Sequence, residues 1–363
     1  MLFKHPLIPI DRRENNSVLA PMYYLLCPKV LREDLTLISY DIIGDVHGCA
    51  DMLHGLLDQL GWEHQPDGTH SHPDPDRKAI FVGDLVDRGP KQLETLQTVR
   101  AMVDAGSAQV VMGNHEFNAV SYATLHPAST GEYLREHSER NTSQHRAFLE
   151  QLSDAEKDYW IDWFRTLPLW LELDGLRVVH ACWHQDSIDL LTREFGGATF
   201  PEGDEAFLKA NTKQDPIWEA IEVILKGPEI ELAPHRLPNY LDKEEHVRKL
   251  ARARWWVPSP SSIRDLIDLP EDTLDESKRP YPPIPESPCT QHDLRCTYSD
   301  SIPVFYGHHW RKWEPSQIDD WTLTTACVDF SAVKGGPMAA YQWSGETEID
   351  PTHYRHYPPD SAN

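Results

Sequence analysis

Residues 37–48 read LISYDIIGDVHG, an apolar run that stops at Gly44 and hands over to a carboxylate and an imidazole. Two more stretches repeat the plan: AIFV at 79–82 before Gly83-Asp84, and AQVVM at 108–112 before Gly113-Asn114. Short apolar runs closed by glycine and polar residues read as buried strands. A helix-like stretch follows each: Ala50 to Leu60, Lys91 to Ala105, and Glu116 to Leu125. Repeated strand, loop and helix is what a parallel sheet with right-handed crossovers requires. Ligands of such sheets sit at the carboxyl ends of the strands.

Working outward, residues 144–170 read as helical, and Leu176 to Val179 is a further strand ending in His180. Between about 200 and 300 the pattern weakens. Pro258, Pro260, Pro270, Pro280, Pro282, Pro283, Pro285 and Pro288 make long regular elements after 257 improbable, so this stretch reads as an insertion over one face. Regularity returns with PVFYG before His308, then LTTACVDF and PMAAYQW, which alternate like strands of a second sheet layer. The expected organisation is an irregular extension over 1–38, one domain over 39–350, and a tail over 351–363.

The chain carries 58 acidic and 34 basic residues in 363, a formal charge of −24. Such a field repels polyanions and argues against general nucleic-acid binding. The cysteines Cys27, Cys49, Cys182, Cys289, Cys296 and Cys327 form no CxxC pair, and read as reduced thiols of a cytoplasmic protein. The apolar stretch at Met22 to Cys27 is too short to span a bilayer, so no membrane partner is expected.

The strand ends carry Asp45-Val-His47-Gly, Gly83-Asp84-Leu-Val-Asp87-Arg88-Gly89, Gly113-Asn114-His115-Glu116, His180, and Gly307-His308-His309. These are hard and borderline metal ligands on loops that glycine opens to sharp turns. Two divalent ions roughly 3.5–4 Å apart need a bridging carboxylate, neutral nitrogen or amide-oxygen ligands, and open positions for water and substrate. The short carboxylate Asp84 is the chosen bridge.

In order along the chain, DVHG, GDLVDRGP, GNHE, the strand-end His180 and GHHW resemble the calcineurin-like metallophosphoesterases. The likeness is to the branch of serine/threonine phosphoprotein phosphatases and bacterial diadenosine tetraphosphatases. It covers residues 41 to about 345 apart from the insertion. The resemblance implies an α/β fold, a two-layered β-sandwich flanked by helices. It implies that Asp45 and His47 hold one metal, that Asp84 bridges, and that Asn114, His180 and His308 hold the second. It further implies that Arg88 grips a phosphate oxygen and that His115, oriented by Asp87, protonates the leaving group. His309 and Asp329 fall where supporting residues are expected.

The expected activity is hydrolysis of phosphate monoesters, in phosphoproteins or small phosphoesters, by a metal-bound hydroxide. Mn²⁺ is the expected ion, with Fe and Zn²⁺ also suited to the mixed donor set. Hydrolysis of dinucleoside polyphosphates is the alternative; a polynucleotide 3'-phosphatase and a non-catalytic scaffold rank below it. Taken singly, each Asp or His here reads as a turn former, Arg88 as a surface ion-pair residue and Asp87 as a helix cap. The ordered set is what favours a site. The basic run His246 to Trp256 has two readings: a second phosphate grip centred on Arg254, which Trp255 and Trp256 anchor, or a solvated helix face.

Overall fold

A computed structural model describes residues 38–127, 131–242, 245–270, 272–313 and 321–358. The extension expected over 1–38 lies almost wholly outside them, as does Cys27. The unit described here falls within Leu37–Asn363.

Two sheets carry it. In the first, the strands Ser39–Ile43, Arg77–Phe81 and Ala108–Val110 run parallel. Met338–Trp343 pairs antiparallel with Ser39–Ile43, in the register Tyr40 to Trp343 and Ile43 to Ala340, and Tyr354–Tyr357 follows at the edge. In the second, Thr325–Cys327, Val304–Tyr306 and Leu176–Val179 run parallel, and Trp170–Leu173 closes the edge antiparallel. Side chains alternate across a strand. Tyr40 and Ile42 therefore face inward with Ile80, Val111, Leu176, Val178, Phe305 and Tyr341, and these form the apolar layer between the sheets. Ile43, Ala79 and Phe81 face outward, into a cluster shared with the helices Ala50–Leu60, Gln92–Asp104 and Asp154–Phe164. Helix residues Leu53, Leu56, Leu57 and Leu60 meet it at the i, i+3, i+4, i+7 spacing of one apolar face. Burying each such side chain contributes about 1.5–3 kcal/mol.

This is the helix-flanked two-layered β-sandwich that the resemblance implied. Several boundaries differ. PMAAYQW belongs to the first sheet, beside Ser39–Ile43, while PVFYG and LTTACVDF supply the second. The expected tail includes the edge strand Tyr354–Tyr357. The helical stretch 144–170 is broken: Glu139–Gln144 and Arg146–Gln151 meet at His145, and Asp154–Phe164 starts anew behind a Ser153/Glu156 capping box.

The insertion also begins later than expected. Glu205–Asn211 and Pro216–Lys226 are helices whose Phe207, Ile221 and Ile224 join the main apolar cluster. Asp215 caps the second by accepting from the Ile217 N–H at 2.9 Å, with Pro216 in the first turn. A separate small core of Ile230, Leu232, Ala251, Ala253, Ile263 and Leu266 then organises the following stretch. The basic run is not a helix face there. It forms the strands Val247–Arg248 and Leu250–Ala253.

Candidate metal centre

The parallel strands of both sheets end at one place. Asp45 and His47 follow Ser39–Ile43; Asp84, Asp87 and Arg88 follow Arg77–Phe81; Asn114 and His115 open the helix Asn114–Ala123 after Ala108–Val110. His180 follows Leu176–Val179, His308 follows Val304–Tyr306, and Asp329 follows Thr325–Cys327. The loops pack backbone against backbone. A Cβ on Gly113 would lie 2.3 Å from the Asp84 amide nitrogen, and one on Gly307 would lie 2.1 Å from Asp45 Oδ1. His47 (φ 46°), Asp84 (50°), Asp87 (72°), Arg88 (67°) and His308 (67°) all adopt left-handed backbone. Strain of this kind costs on the order of 1–3 kcal/mol each and persists only where surroundings enforce it. Glu116 is part of that enforcement. Fully buried, its carboxylate accepts from the amides of Asp84 (2.8 Å), Leu85 (2.8 Å) and Gly113 (2.9 Å), tying the second strand-end loop to the third.

Asp84 is the hub. Its Oδ2 is 3.5 Å from His47 Nε2 and 3.9 Å from His115 Nε2, and its Oδ1 is 3.4 Å from His180 Nε2. His47 Nδ1 donates to the Val86 carbonyl at 2.7 Å, and His180 Nδ1 to the Val82 carbonyl at 2.8 Å. A neutral imidazole that donates through Nδ1 has only a lone pair left at Nε2. His180 Nε2 therefore meets two further acceptors, Asp84 Oδ1 and Asn114 Oδ1, the latter at 3.1 Å. Three converging lone pairs repel one another unless a cation sits between them. This is the donor arrangement of a metal site whose histidines are oriented by backbone carbonyls.

Two groups of donors within 4.8 Å of one another share Asp84: His47, Asp84 and His115, and Asp84, His180 and His308. The buried His308 Nε2 has no hydrogen-bond partner. Burial drives His47 down to about 3 and His308 well below its usual value, so both are neutral, as ligands must be. Asp45 accepts from the His308 amide at 3.2 Å. Burial, Asp329 and Asp84 push it well above the usual carboxylate range, a charge accumulation that bound cations would relieve. The residues present thus fit divalent ions.

Beside this hub, Arg88 is exposed and its Nη1 and Nη2 donate to His47 Nε2 (2.8 Å) and His115 Nε2 (3.1 Å). His115 Nδ1 is 2.5 Å from Asp87 Oδ2. Burial alone would lower the His115 pKa, but the Asp84 charge and the Asp87 hydrogen bond outweigh it, and the net shift is upward. Asp87 therefore does not cap a helix. Its other oxygen takes His145 Nδ1 at 2.7 Å, a partner that sequence reasoning missed. His145 lies at a helix junction with no glycine loop to mark it.

Arg254 is the one predicted residue that is not drawn into this cluster. Trp255 and Trp256 are buried as anchors, but they pack on Tyr306 and His309, while Arg254 Nε faces Asp268 Oδ1 at 3.4 Å. The charge from this run that reaches His308 and His309 is that of Arg252. His309 helps seat those tryptophans, its Nε2 lying 3.4 Å from Trp255 Nε1 and 3.1 Å from the Ala181 carbonyl. Asp329 accepts from the Trp310 and Ser331 amides at 3.2 and 2.9 Å and so fixes the loop after His308. Among the described residues, Cys49, Cys182, Cys289, Cys296 and Cys327 are free thiols, and no helix is long and apolar enough to cross a membrane.

Comparison with known proteins agrees with this geometry. The asymmetrical bis(5'-nucleosyl)-tetraphosphatase PrpE of Halalkalibacterium halodurans is 51% identical over 78 residues, 22% of this chain and 31% of that protein. PrpE of Bacillus velezensis is 33% identical over 181 residues, covering 46% and 69%. The symmetrical bis(5'-nucleosyl)-tetraphosphatase of Aromatoleum aromaticum is 32% identical over 197 residues, covering 51% and 63%. The matched stretches thus span between 31% and 69% of these relatives. The model of the calcineurin-like phosphoesterases matches residues 38–258, the stretch that carries every strand-end motif from Asp45 to His180, and the chain belongs to that family.

Proposed function

We propose that the chain is a two-metal phosphoesterase that hydrolyses phosphate monoesters of phosphoproteins or small molecules. The observation that carries this reading is the convergence of lone pairs on Asp84 from two sides, His47 on one and His180 with Asn114 on the other. Asp45, His47 and Asp84 would hold one ion, and Asp84, Asn114, His180 and His308 the other; Mn²⁺ is the favoured metal, with Fe and Zn²⁺ compatible. Bound there, divalent ions supply water activated near neutral pH and neutralise charge on the phosphoryl oxygens.

The side chains do the rest. Arg88 leaves its imidazole partners to grip a phosphate oxygen, for which its planar fork is suited. His115, its Nδ1–H held by Asp87 and its pKa raised, acts as the imidazolium: once Arg88 has left, Nε2 is protonated and gives that proton to the departing oxygen. Arg252 supports the site by charge, and we keep Arg254 as a weaker candidate for substrate contact.

The bis(5'-nucleosyl)-tetraphosphatase relatives favour a second reading, hydrolysis of dinucleoside polyphosphates. One experiment tests both. Chelator-stripped protein is assayed with Mn²⁺, Fe²⁺ or Zn²⁺ on phosphopeptides, p-nitrophenyl phosphate and diadenosine tetraphosphate. Activity lost on chelation and restored by Mn²⁺ is expected, with phosphomonoesters preferred. Full turnover by metal-free protein would overturn the mechanism, and preference for the tetraphosphate would install the second reading.

A further inference from the structure

Trp310 follows the candidate ligand His308 by two residues, yet it is 36% exposed, among the large apolar side chains of the described residues that stay open to solvent. Its backbone is in the left-handed region at φ 35°, which a bulky side chain rarely adopts. The buried Asp329 pins its amide at 3.2 Å. About a third of this side chain stays in water although the backbone beneath it is strained, so core packing alone does not account for its placement. Its neighbours do suggest a reason. The Arg88 guanidinium carbon lies 5.4 Å from the ring centroid, and Lys334 Nζ lies 2.7 Å from it. Arg88 is also the group that reaches His47 and His115. The indole thus stands at the mouth of the metal centre and holds two cations against its π-system.

We propose that Trp310 is a stacking platform that selects phosphate esters carrying a planar aromatic ring close to the scissile phosphate. This rests on the phosphoesterase reading above. Substrate phosphate draws Arg88 and Lys334 off the indole, because an anion binds a cation more strongly than a ring does. The substrate's own ring then takes the vacated face. The platform is indifferent to whether that ring is a nucleobase or a phenyl group, since either presents a π-face; the spacing to the phosphate decides between them.

The test compares Trp310→Leu, which keeps apolar bulk but removes the π-face, with Trp310→Phe, which retains one. Substrates are diadenosine tetraphosphate, p-nitrophenyl phosphate and glycerol phosphate, with Mn²⁺-loaded protein. Stacking of a base on an aromatic side chain is worth about 1–3 kcal/mol, roughly a 5- to 150-fold change in KM. Trp310→Leu is expected to raise KM for at least one ring-bearing substrate about tenfold more than for glycerol phosphate, and Trp310→Phe to restore most of it. The ring-bearing substrate that suffers more identifies the ring. Equal change on all three, or no rescue by phenylalanine, overturns the proposal.

A binding arm separates its failure from that of the phosphoesterase reading. Calorimetry of AMP, phenyl phosphate and inorganic phosphate needs no turnover. If the wild type hydrolyses none of the esters, the parent reading fails, and the platform stands only if Trp310→Leu weakens AMP or phenyl phosphate at least tenfold more than inorganic phosphate.

Discussion

Among the described residues imidazoles pack together in two places, and one of the two resembles a metal centre. Around Asp84, His47, His115 and His180 point Nε2 at a shared carboxylate, with Nδ1 of His47 and His180 tied to backbone carbonyls. In the second place, His54 of the helix Ala50–Leu60 and His64 both pack on His70, the two latter residues lying on the short hairpin formed by Glu63–His64 and His70–Ser71. The rings of His54 and His64 lie 5.4 and 5.0 Å from that of His70, no farther apart than the 4.8 Å between His47 and His115 by more than a few tenths. Among the described residues no carboxylate is shared by the three rings; Asp58 acts on His70 through its charge alone. Glu94 touches only His54, at 3.7 Å, and His54 Nε2 is taken by Thr98 at 3.0 Å. Among the described residues, the donor groups compact enough to hold an ion are the two built on Asp84. Ring proximity is therefore not what makes a ligand set; a central anion and a fixed tautomer are.

The most damaging way to break this contrast is Asp84→Asn, which keeps the shape and removes the charge that both groups share. Metal content by mass spectrometry should fall, and kcat/KM should drop by more than the 10–100-fold typical of groups one step removed from a metal. Two tightly bound ions with near-normal turnover would mean that the imidazoles alone define the site.

His115→Asn leaves Asp84 in place and removes the proposed acid. General acid catalysis is worth about 10²–10⁴-fold where the leaving group needs the proton. An alkyl oxygen needs it, while nitrophenolate barely does. The alkyl ester should therefore lose far more than p-nitrophenyl phosphate at matched metal occupancy. Since His115 is held above its ordinary pKa by Asp84 and Asp87, the wild-type advantage on alkyl esters should fade only as pH rises past the usual histidine range. Equal losses on both substrates would assign His115 to binding instead.

A smaller effect is expected one residue further out. His145 fixes the second oxygen of Asp87 and stacks on Phe148 at 4.7 Å. His145→Phe keeps an aromatic ring there and removes the hydrogen bond, leaving Asp87 freer to turn. We expect about a tenfold loss on the alkyl ester and little on the nitrophenyl ester. A parallel fall on both, together with a lower Tm, would make His145 a purely structural support.

Much of the fold and of the candidate site is legible in the sequence. Asp45, His47, Asp84, Asn114 and His308 each follow an apolar run at or near a glycine, and His180 ends an apolar run without one, so local pattern alone brings them to the strand ends. PMAAYQW reads as a strand of the second layer because an alternating apolar strand looks the same in either sheet; its partner Ser39–Ile43 lies about 300 residues away, and local pattern does not encode that. His145 and Trp310 carry no local signal of their surroundings, for a related reason. One is defined by a contact 58 residues distant, the other by an exposure that a sequence does not display. The late start of the insertion has a simpler cause. Glu205–Asn211 is a short helix and Pro216–Lys226 opens on a proline, so the pattern weakened before the fold did.

The gentlest probe sharpens the contrast from the other side, by treating the second histidine group as plain packing. His70 is 3% exposed and its Nδ1 has no partner. Burial, with His54 and His64 close by, lowers its pKa to about 4. A histidine whose folded pKa lies below the ordinary 6.5 prefers to be neutral in the fold, so the unfolded chain binds the proton first. Its effect on stability is absent above pH 6.5, grows as pH falls through the interval between 6.5 and about 4, and levels off below that. His70→Phe removes both the unpaired nitrogen and the titration. Urea unfolding should then show a variant at least as stable as wild type at pH 7.5, because an unsatisfied buried polar atom typically costs about 1–3 kcal/mol and the larger ring gives part of that back in crowding. The gap should widen in the variant's favour at pH 5. Metal content and kcat/KM should not move, since nothing in this group touches Asp84. A variant that lost metal or activity would mean that the second group is coupled to the first, and that the difference between them is one of degree.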